Sequence, residues 1–472
     1  MSRAVGPYLG IDFGTTSTKS ALVDVETGAL TRVRHHPAIP PSLGPPGRFE
    51  VPLEAIRERF LELCTEYAAT LDAPLAGIVT CSEMHGFALV DDTGRPRSAY
   101  VSWKDERSRE PIAGVDSVSL VTRALGERFK AITGMRPRPG LPLMNLVHLL
   151  RETALPDGLH VVSLPEWLAR AVGDATGRGH PTMLAGMALY DVETSRSSDE
   201  LVALVRELTG RSVRLASPAE AAAVAGTWRH RSRRIPMHVG AGDHQTTLLG
   251  AGVTAGDCVS LNVGTGSQLA VLDRAADDPA VERRPYFDGG MLHAITHIPG
   301  GRALATFLGF LEDAARAGGA PAPDFWPQLA GLDAGDVAGA SLDVDLAVFR
   351  GAWGYAGGGR LGRIEDGTLT VRNYLASVLR AFVAQYAALV PKLDPGRRLG
   401  RIVLSGGLAR RLPALPGLLA AATGYAVTEP TAIDESLLGL RALAVVASGR
   451  ARTVAQAHAA FPRDEAAPGR PA

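Results

Sequence analysis

The sequence predicts a duplicated α/β fold in two domains, on three observations. Two segments repeat one another: DFGTTSTKSALV from Asp12 and NVGTGSQLAVL from Asn262. Strand-type apolar runs alternate with stretches whose apolar residues recur three and four apart, the pattern of mixed α/β domains. The chain of 472 residues is also longer than one hydrophobic core supports. The two starts differ by 262 − 12 = 250, which aligns Gly14 with Gly264, Thr15 with Thr265 and Ser17 with Ser267. Each copy reads as a strand, a tight Gly-Thr turn and a second strand. Such a turn presents N–H and hydroxyl donors at its tip, which is how a loop holds phosphate oxygens. A matched pair predicts a nucleotide phosphate held between the two halves.

The elements follow in order. Strands are expected at Tyr8–Phe13, Lys19–Asp24 and Ala76–Thr80, with a helix over Pro52–Leu71 between the last two. Asp116–Leu150 is helical in pattern, broken by the Pro- and Gly-rich run MRPRPGLP. A second half opens near Met237 with VGAGDHQTTLLGAG, followed by the second hairpin over Asp257–Leu272. Arg316–Asp345, rich in Ala, Gly, Pro and Asp, reads as irregular connection. A long helix is expected over about Val371–Val390, stopped by Pro391 and Pro395, and then RIVLSGGLARR gives a strand, a Gly-Gly turn and a helix. The domains are placed at residues 1–240 and 241–460, with a disordered tail at 461–472.

Bulk properties exclude several classes. Lys+Arg and Asp+Glu both number 49, so no net field recruits nucleic acid or an anionic membrane. Cys64, Cys81 and Cys258 form no metal motif and no paired spacing, which predicts a reducing, cytoplasmic setting. The N-terminus runs almost at once into a strand and shows no signal-type apolar region. No apolar stretch approaches the roughly 20 residues of a membrane span.

Four places carry candidate chemistry. Asp12 ends the first strand beside the turn, where a carboxylate can hold Mg²⁺ directly or through water while Thr15, Thr16 and Ser17 face phosphate oxygens. Lys19 points either to the phosphates or to solvent. Asp243 follows a Gly-rich turn and opens a helix, so it is either a general base for a substrate hydroxyl or a favoured N-cap residue. SEMHG and SWKDER bring Glu83, Met84, His85, Trp103, Asp105 and Arg107 close in sequence. On an extended strand Trp103, Asp105 and Arg107 share one face, where an indole beside charged groups suits a polyol. At Gly406 and Gly407 the Gly-Gly turn lets a flat base approach the backbone. There is no GxxxxGK[ST] and no strand–GxGxxG–helix arrangement, which argues against Walker-type and Rossmann nucleotide sites.

In this order the segments (phosphate hairpin, M-H-G, W-x-D-x-R, G-D-x-Q, second hairpin, Gly-Gly turn) resemble the FGGY carbohydrate kinases. The resemblance implies an α/β chain of two actin-like (ribonuclease H-like) ATPase domains with a cleft between them. LNVGTGSQLA, RRPYFDGGMLHAITHIPGGRALATFL and SWKDER are most similar to the sedoheptulokinase branch, with the xylulokinase branch next. By resemblance Asp243 is the catalytic base, and Asp12 with Asp243 organises Mg²⁺. ATP is held by Gly14, Thr15, Thr16, Ser17, Lys19, Gly264, Thr265 and Gly266, with Gly406, Gly407 and Arg411 at the adenosine. Glu83, Met84, His85, Trp103, Asp105, Arg107 and Asp243 line the sugar site. Glu83 stands where the family commonly has Gln, Arg411 near a common Asn, and GAWGYAGGGRLGR lacks the usual Gly-Glu-Arg.

The expected reaction is transfer of the ATP γ-phosphoryl group to a primary hydroxyl of a ketose, giving sedoheptulose 7-phosphate, with xylulose or a related heptose or cyclitol as the alternative acceptor. The expected partners are a small-molecule sugar and ATP, with no nucleic acid and no membrane; a homodimer is the assembly guess. A rival from another class is an actin-like ATPase that hydrolyses ATP without sugar transfer. The Met84–Arg107 cluster argues against it, because such an ATPase needs no polyol pocket.

Overall fold

In the computed structural model, residues 6–462 are described except 72, 275–277 and 322, so residues 463–472 of the expected tail lie outside the described residues. The chain forms two compact units. One takes the chain up to Gly250, the segment Arg283–Met291 and the chain from Glu435; the other takes Ala251–Glu282 and Leu292–Asp434. These units cut the chain at 250 rather than 240, and the stretch after 434 returns to the first unit. Phe461, expected in the tail, is seated there: its carbonyl accepts a hydrogen bond from Arg441, and its ring lies against Gly28.

The first unit is built on a mixed sheet. Its strands are β1 (Tyr8–Phe13), β2 (Ser17–Val23), β3 (Leu30–Pro37), β4 (Gly77–Ser82), β5 (Val224–His230) and β6 (Arg233–His238), in the spatial order β5-β6-β4-β1-β2-β3. Every residue of β1 and β4 is buried, as continuous apolar runs in central strands require. Helix α1 (Leu53–Ala69) covers one face through Ile56, Phe60, Leu63, Cys64 and Tyr67, a stripe spaced by three and four. β1 pairs antiparallel with β2 and parallel with β4, and the two-residue strand Ala241–Gly242 adds parallel to β4.

The second unit repeats this pattern. Here β7 (Cys258–Val263), β8 (Gly266–Leu272), β9 (Met291–Pro299), β10 (Arg401–Ser405) and β11 (Ala426–Thr428) run in the order β9-β8-β7-β10-β11. Pairing is again antiparallel from β7 to β8 to β9 and parallel from β7 to β10 to β11. The hairpins differ in one respect that the constant offset of 250 conceals. Asp12 faces Lys19, whereas Asn262 faces Gln268 and not residue 269. The second turn is therefore one residue tighter, and the counterpart of Ser267 is Thr18, not Ser17.

Three expectations about elements change. Helix α4 (Val371–Leu393), introduced after α2 (Asp243–Gly250) and α3 (Gly301–Ala317), carries Pro391 inside its last turn and runs past it. It is long and apolar enough to cross a membrane by length and composition, but Leu375, Val378, Leu379, Phe382, Tyr386 and Leu389 are buried in the core of the second unit. Arg316–Asp345 holds two short helices, Trp326–Ala330 and Ala334–Gly339, and the strand Asp343–Asp345. Trp103, Asp105 and Arg107 do not share a strand: the strand ends at Val101, and Arg107–Arg109 is a 3₁₀ turn.

In the first unit α2 meets α5 (Glu435–Ala447) backbone to backbone. A Cβ on Gly250 would lie 1.8 Å from the Glu435 carbonyl oxygen, and one on Gly439 1.9 Å from that of Thr246. Backbone on both sides cannot yield to a side chain. Gly439→Ala is therefore expected to cost about 3 kcal/mol in urea unfolding. Gly309→Ala, inside α3 with nothing within 4 Å of the new carbon, should be neutral or stabilise by up to about 1 kcal/mol. Equal effects of the two changes would contradict the close-approach reading.

Candidate active site

Register brings three carboxylates of the first unit to one edge. Asp12 pairs across the sheet with Cys81, and Cys81 with Ala241; one step on, Phe13 pairs with Ser82 and Ser82 with Gly242. Glu83 and Asp243 are the next residues of their strands, so Asp12, Glu83 and Asp243 gather at the carboxyl ends of adjacent parallel strands. That edge is where open α/β sheets place their ligands.

Asp12 is buried, and its Oδ2 accepts a hydrogen bond from Ser436 Oγ at 2.7 Å with Lys19 Nζ at 3.4 Å. Lys19, partly exposed, thus leans to the Asp12 carboxylate. Asp12 Oδ1 is buried without a hydrogen-bond partner. Asp243 is partly open to solvent, and its Oδ1 accepts the His244 backbone N–H at 2.7 Å. Burial above all, then the charges of Asp12 and Glu83, push its carboxyl up to about 7 against the pull of the His244 N–H and Lys19. Glu83 is buried, its Oε2 accepts from Ser102 Oγ at 3.2 Å, and burial pushes it up to about 7 as well. An all-oxygen donor set with one free, buried carboxylate oxygen fits a hard cation such as Mg²⁺.

The neighbouring loop is held tightly. His85 Nδ1–H donates to the Gly186 carbonyl at 2.8 Å, and Nε2 accepts from Arg284 Nη1 at 2.9 Å, an assignment that follows from the carbonyl partner. Met84 packs so closely that a Cβ on Gly242 would lie 2.7 Å from its Cγ, and a Cβ on Gly186 2.3 Å from its carbonyl oxygen. Trp103 is partly exposed, with the Lys104 ammonium 5.9 Å from its ring centre.

Asp105 and Arg107 have a different position from the one their spacing suggests. Both are fully buried. Asp105 Oδ1 accepts from Arg107 N and Nε, and Oδ2 from Phe49 N and Arg107 Nη2, all at 2.7–3.0 Å. Four donors fill the carboxylate, so the pair braces the loop and leaves no acceptor for a sugar hydroxyl. Glu110, His148 and Glu152 also cluster, but Arg48 donates to both carboxylates, so this group holds a guanidinium.

The turns differ in detail. In the first, Gly14 N–H donates to the Ser17 carbonyl, Thr16 is exposed, and Thr15 and Ser17 are partly so. In the second unit Gly264 N–H donates to the Gly266 carbonyl, and Thr265 and Gly266 are exposed at the tip. Asn262, at the position of Asp12, donates its amide to Ser405 Oγ at 3.1 Å. Gly406 has φ of +101°, and a Cβ there would lie 2.5 Å from the Val263 carbonyl oxygen, so glycine is required twice over. Gly407 is open apart from an Arg410 nitrogen at 3.8 Å. Arg411 is exposed, and its guanidinium lies 4.5 Å from the centre of the Trp326 ring.

Sequence reasoning missed four contributors. Ser436 reaches Asp12 across 424 residues, a separation no local pattern reveals. Arg284 fixes His85 from the RRPYF run. Gly300 and Gly301 seat α3 against the second turn: Gly301 N–H donates to the Gly264 carbonyl, and a Cβ on Gly300 would meet Gly266 at 2.7 Å. The GG pair in IPGGRALATFL was the available signal.

The two repeated sheets define a mixed α/β protein of two domains with the actin-like fold. The xylulose kinase of Lactobacillus acidophilus superposes with a TM-score of 0.80 at 16% identity over 98% of this chain and 93% of that one. Plasmodium falciparum glycerol kinase, solved with ADP, gives 0.80 at 14% over 98% and 93%. Residues 7–250 match the N-terminal domain of the FGGY family of carbohydrate kinases, and the chain belongs to that family. Xylulose kinase of Streptomyces rubiginosus is 30% identical over 303 residues, 59% of this chain and 57% of that protein, so the match spans little more than half of that relative.

A pH test follows from Asp243. Its folded value of about 7 lies above the ordinary 3.8, so its stabilising contribution is full below about pH 4 and is lost as pH rises through 7. Asp243→Asn removes that loss. The melting temperature of the variant relative to the unmodified protein should climb between about pH 4 and 7 and level off above about pH 8. A difference that stays flat across this range would contradict the raised carboxyl.

Proposed function

We propose that this chain is an ATP-dependent sugar kinase that moves the γ-phosphoryl group of ATP to a primary hydroxyl of a ketose, with sedoheptulose as acceptor. The observation that carries the reading is the acid trio at the strand ends, in which Asp12 and Glu83 are buried and Asp243 is partly open. A carboxylate held near 7 is matched to a proton leaving a hydroxyl at neutral pH. Asp243 aligns the acceptor hydroxyl and takes its proton as the oxygen attacks phosphorus. Asp12, steadied by Ser436, would hold Mg²⁺ through its free Oδ1, with Asp243 beside it. When bound, Mg²⁺ supplies charge neutralisation at the phosphate oxygens.

The turns at Gly14–Ser17 and Gly264–Gly266 would donate N–H and hydroxyl groups to phosphate, with Lys19 adding charge at the first. Gly406 and Gly407 would admit adenosine close to the backbone, near Arg411. Met84, His85 and Trp103 would line the sugar site, and Asp105 with Arg107 would hold that wall in place. Support for the nucleotide comes from the ADP bound to the glycerol kinase of the same fold. Xylulose is the second reading, because the similar protein of Streptomyces rubiginosus is a xylulose kinase.

A coupled ADP-release assay over pentuloses and heptuloses, with NMR of the product to locate the phosphate, tests the reading. Asp243→Ala should lower transfer about a thousandfold while a fluorescent ATP analogue still binds. Turnover within tenfold of the unmodified protein would sink the base assignment. A basal rate that no sugar raises would favour an ATPase without transfer.

A further inference from the structure

The residue before Asp243 is gripped by two threonine hydroxyls. Gly242 N–H donates to Thr182 Oγ1 at 2.9 Å, and the Gly242 carbonyl accepts from Thr246 Oγ1 at 2.8 Å. Space closes around Gly242 as well, since a Cβ there would lie 2.6 Å from Gln245 Oε1 and 2.7 Å from Met84 Cγ. Thr246 belongs to α2 and moves with Asp243. Thr182 does not: it sits in the short helix Pro181–Gly186, 60 residues upstream of Gly242, and ties that backbone to a separate element.

The Thr182 hydroxyl has its direction set. His180 caps the short helix: its Nδ1 accepts the Thr182 backbone N–H at 3.3 Å, so the ring carries its proton on Nε2. Thr182 Oγ1 lies 2.8 Å from the same Nδ1. An acceptor there takes the hydroxyl hydrogen and leaves the oxygen lone pairs for Gly242 N–H. Both residues are buried, and burial keeps the ring neutral by pushing His180 down to about 3. The Phe287 ring packs on it with centroids 5.2 Å apart. At the far end of the helix the Gly186 carbonyl accepts from His85 Nδ1–H, and four residues of helix set the two anchors roughly 6 Å apart. One turn of helix thus holds both the strand that delivers Asp243 and the loop that carries His85.

We propose that Thr182, oriented by His180, is a positioning residue for Asp243: it fixes the backbone from which the base meets the acceptor hydroxyl, in register with the His85 loop. This rests on the sugar-kinase reading. Thr182→Val keeps the shape and deletes the hydroxyl, which takes the acceptor from Gly242 N–H, whereas Thr182→Ser keeps it. The His85 contact runs through the Gly186 backbone and survives both changes. The loss should therefore fall on turnover and not on sugar affinity.

The test joins ADP release by the full chain, at varied sedoheptulose or D-xylulose, to amide hydrogen exchange read by NMR of ¹⁵N-glycine-labelled protein. With whichever sugar is turned over, Thr182→Val should lower kcat about tenfold or more and shift KM less than about threefold. Thr182→Ser should recover kcat to within about threefold of the unmodified protein. Exchange at the Gly242 amide should speed about tenfold or more in Thr182→Val and return in Thr182→Ser. Gly77, in β4 of the same sheet, should exchange at its unmodified rate in both variants, which shows that the sheet is intact. A smaller fall in kcat, a loss carried by KM, equal losses in the two variants or an unchanged Gly242 amide would overturn the proposal. Failure of the kinase reading looks different: no sugar raises ADP release by the unmodified protein, while exchange at Gly242 still answers to the Thr182 hydroxyl.

Discussion

Three carboxylates at the ends of adjacent parallel strands are the constraint around which the first unit is arranged. Strand register alone puts Asp12, Glu83 and Asp243 at one edge, and like charges at that spacing oppose full ionisation. The surroundings answer each group separately. Ser436 and Lys19 support Asp12, the His244 N–H supports Asp243, and the Ser102 hydroxyl supports Glu83. Burial then keeps Glu83 and Asp243 near 7. The glycine contacts between α2 and α5 belong to the same arrangement, since these helices open with Asp243 and with Glu435–Ser436. Loosening that packing would move Asp243 and the residue that steadies Asp12 together.

The second unit keeps the strand order and the hairpin but, among the described residues, shows no matching acid trio at its strand ends. Asn262 stands in place of Asp12 and spends its amide on Ser405, and the turn beside it is one residue shorter. The tighter turn is seated on the start of α3 by two backbone hydrogen bonds, from Gly301 and Arg302. The duplication is one of architecture. The strand-end acids lie in the first copy, while the second has a turn braced by backbone hydrogen bonds and the glycine step at Gly406.

Much of this was legible in the sequence because it is local. β1 and α1 are continuous or periodic apolar patterns, and Asp243 sits in a Gly-rich strand-to-helix turn. The failures are tertiary. Alternation of Trp103, Asp105 and Arg107 implied a strand, but Arg107 folds back on Asp105 and the backbone turns with it. Pro391 looked like a stop, yet α4 continues two residues past it to Leu393, although the proline withholds one N–H from the helix ladder. Ser436 is invisible locally because its partner lies 424 residues away.

The central claim is that Asp243 and Glu83 hold their protons up to neutral pH inside the folded site. It is tested most directly by ¹³C NMR titration of the labelled Asp and Glu carboxyl carbons. The account predicts one resonance lost in Asp243→Asn and another lost in Glu83→Gln, each with a midpoint near 7. Midpoints below about 5 for both would contradict it, since that is the range of ordinary exposed carboxyls.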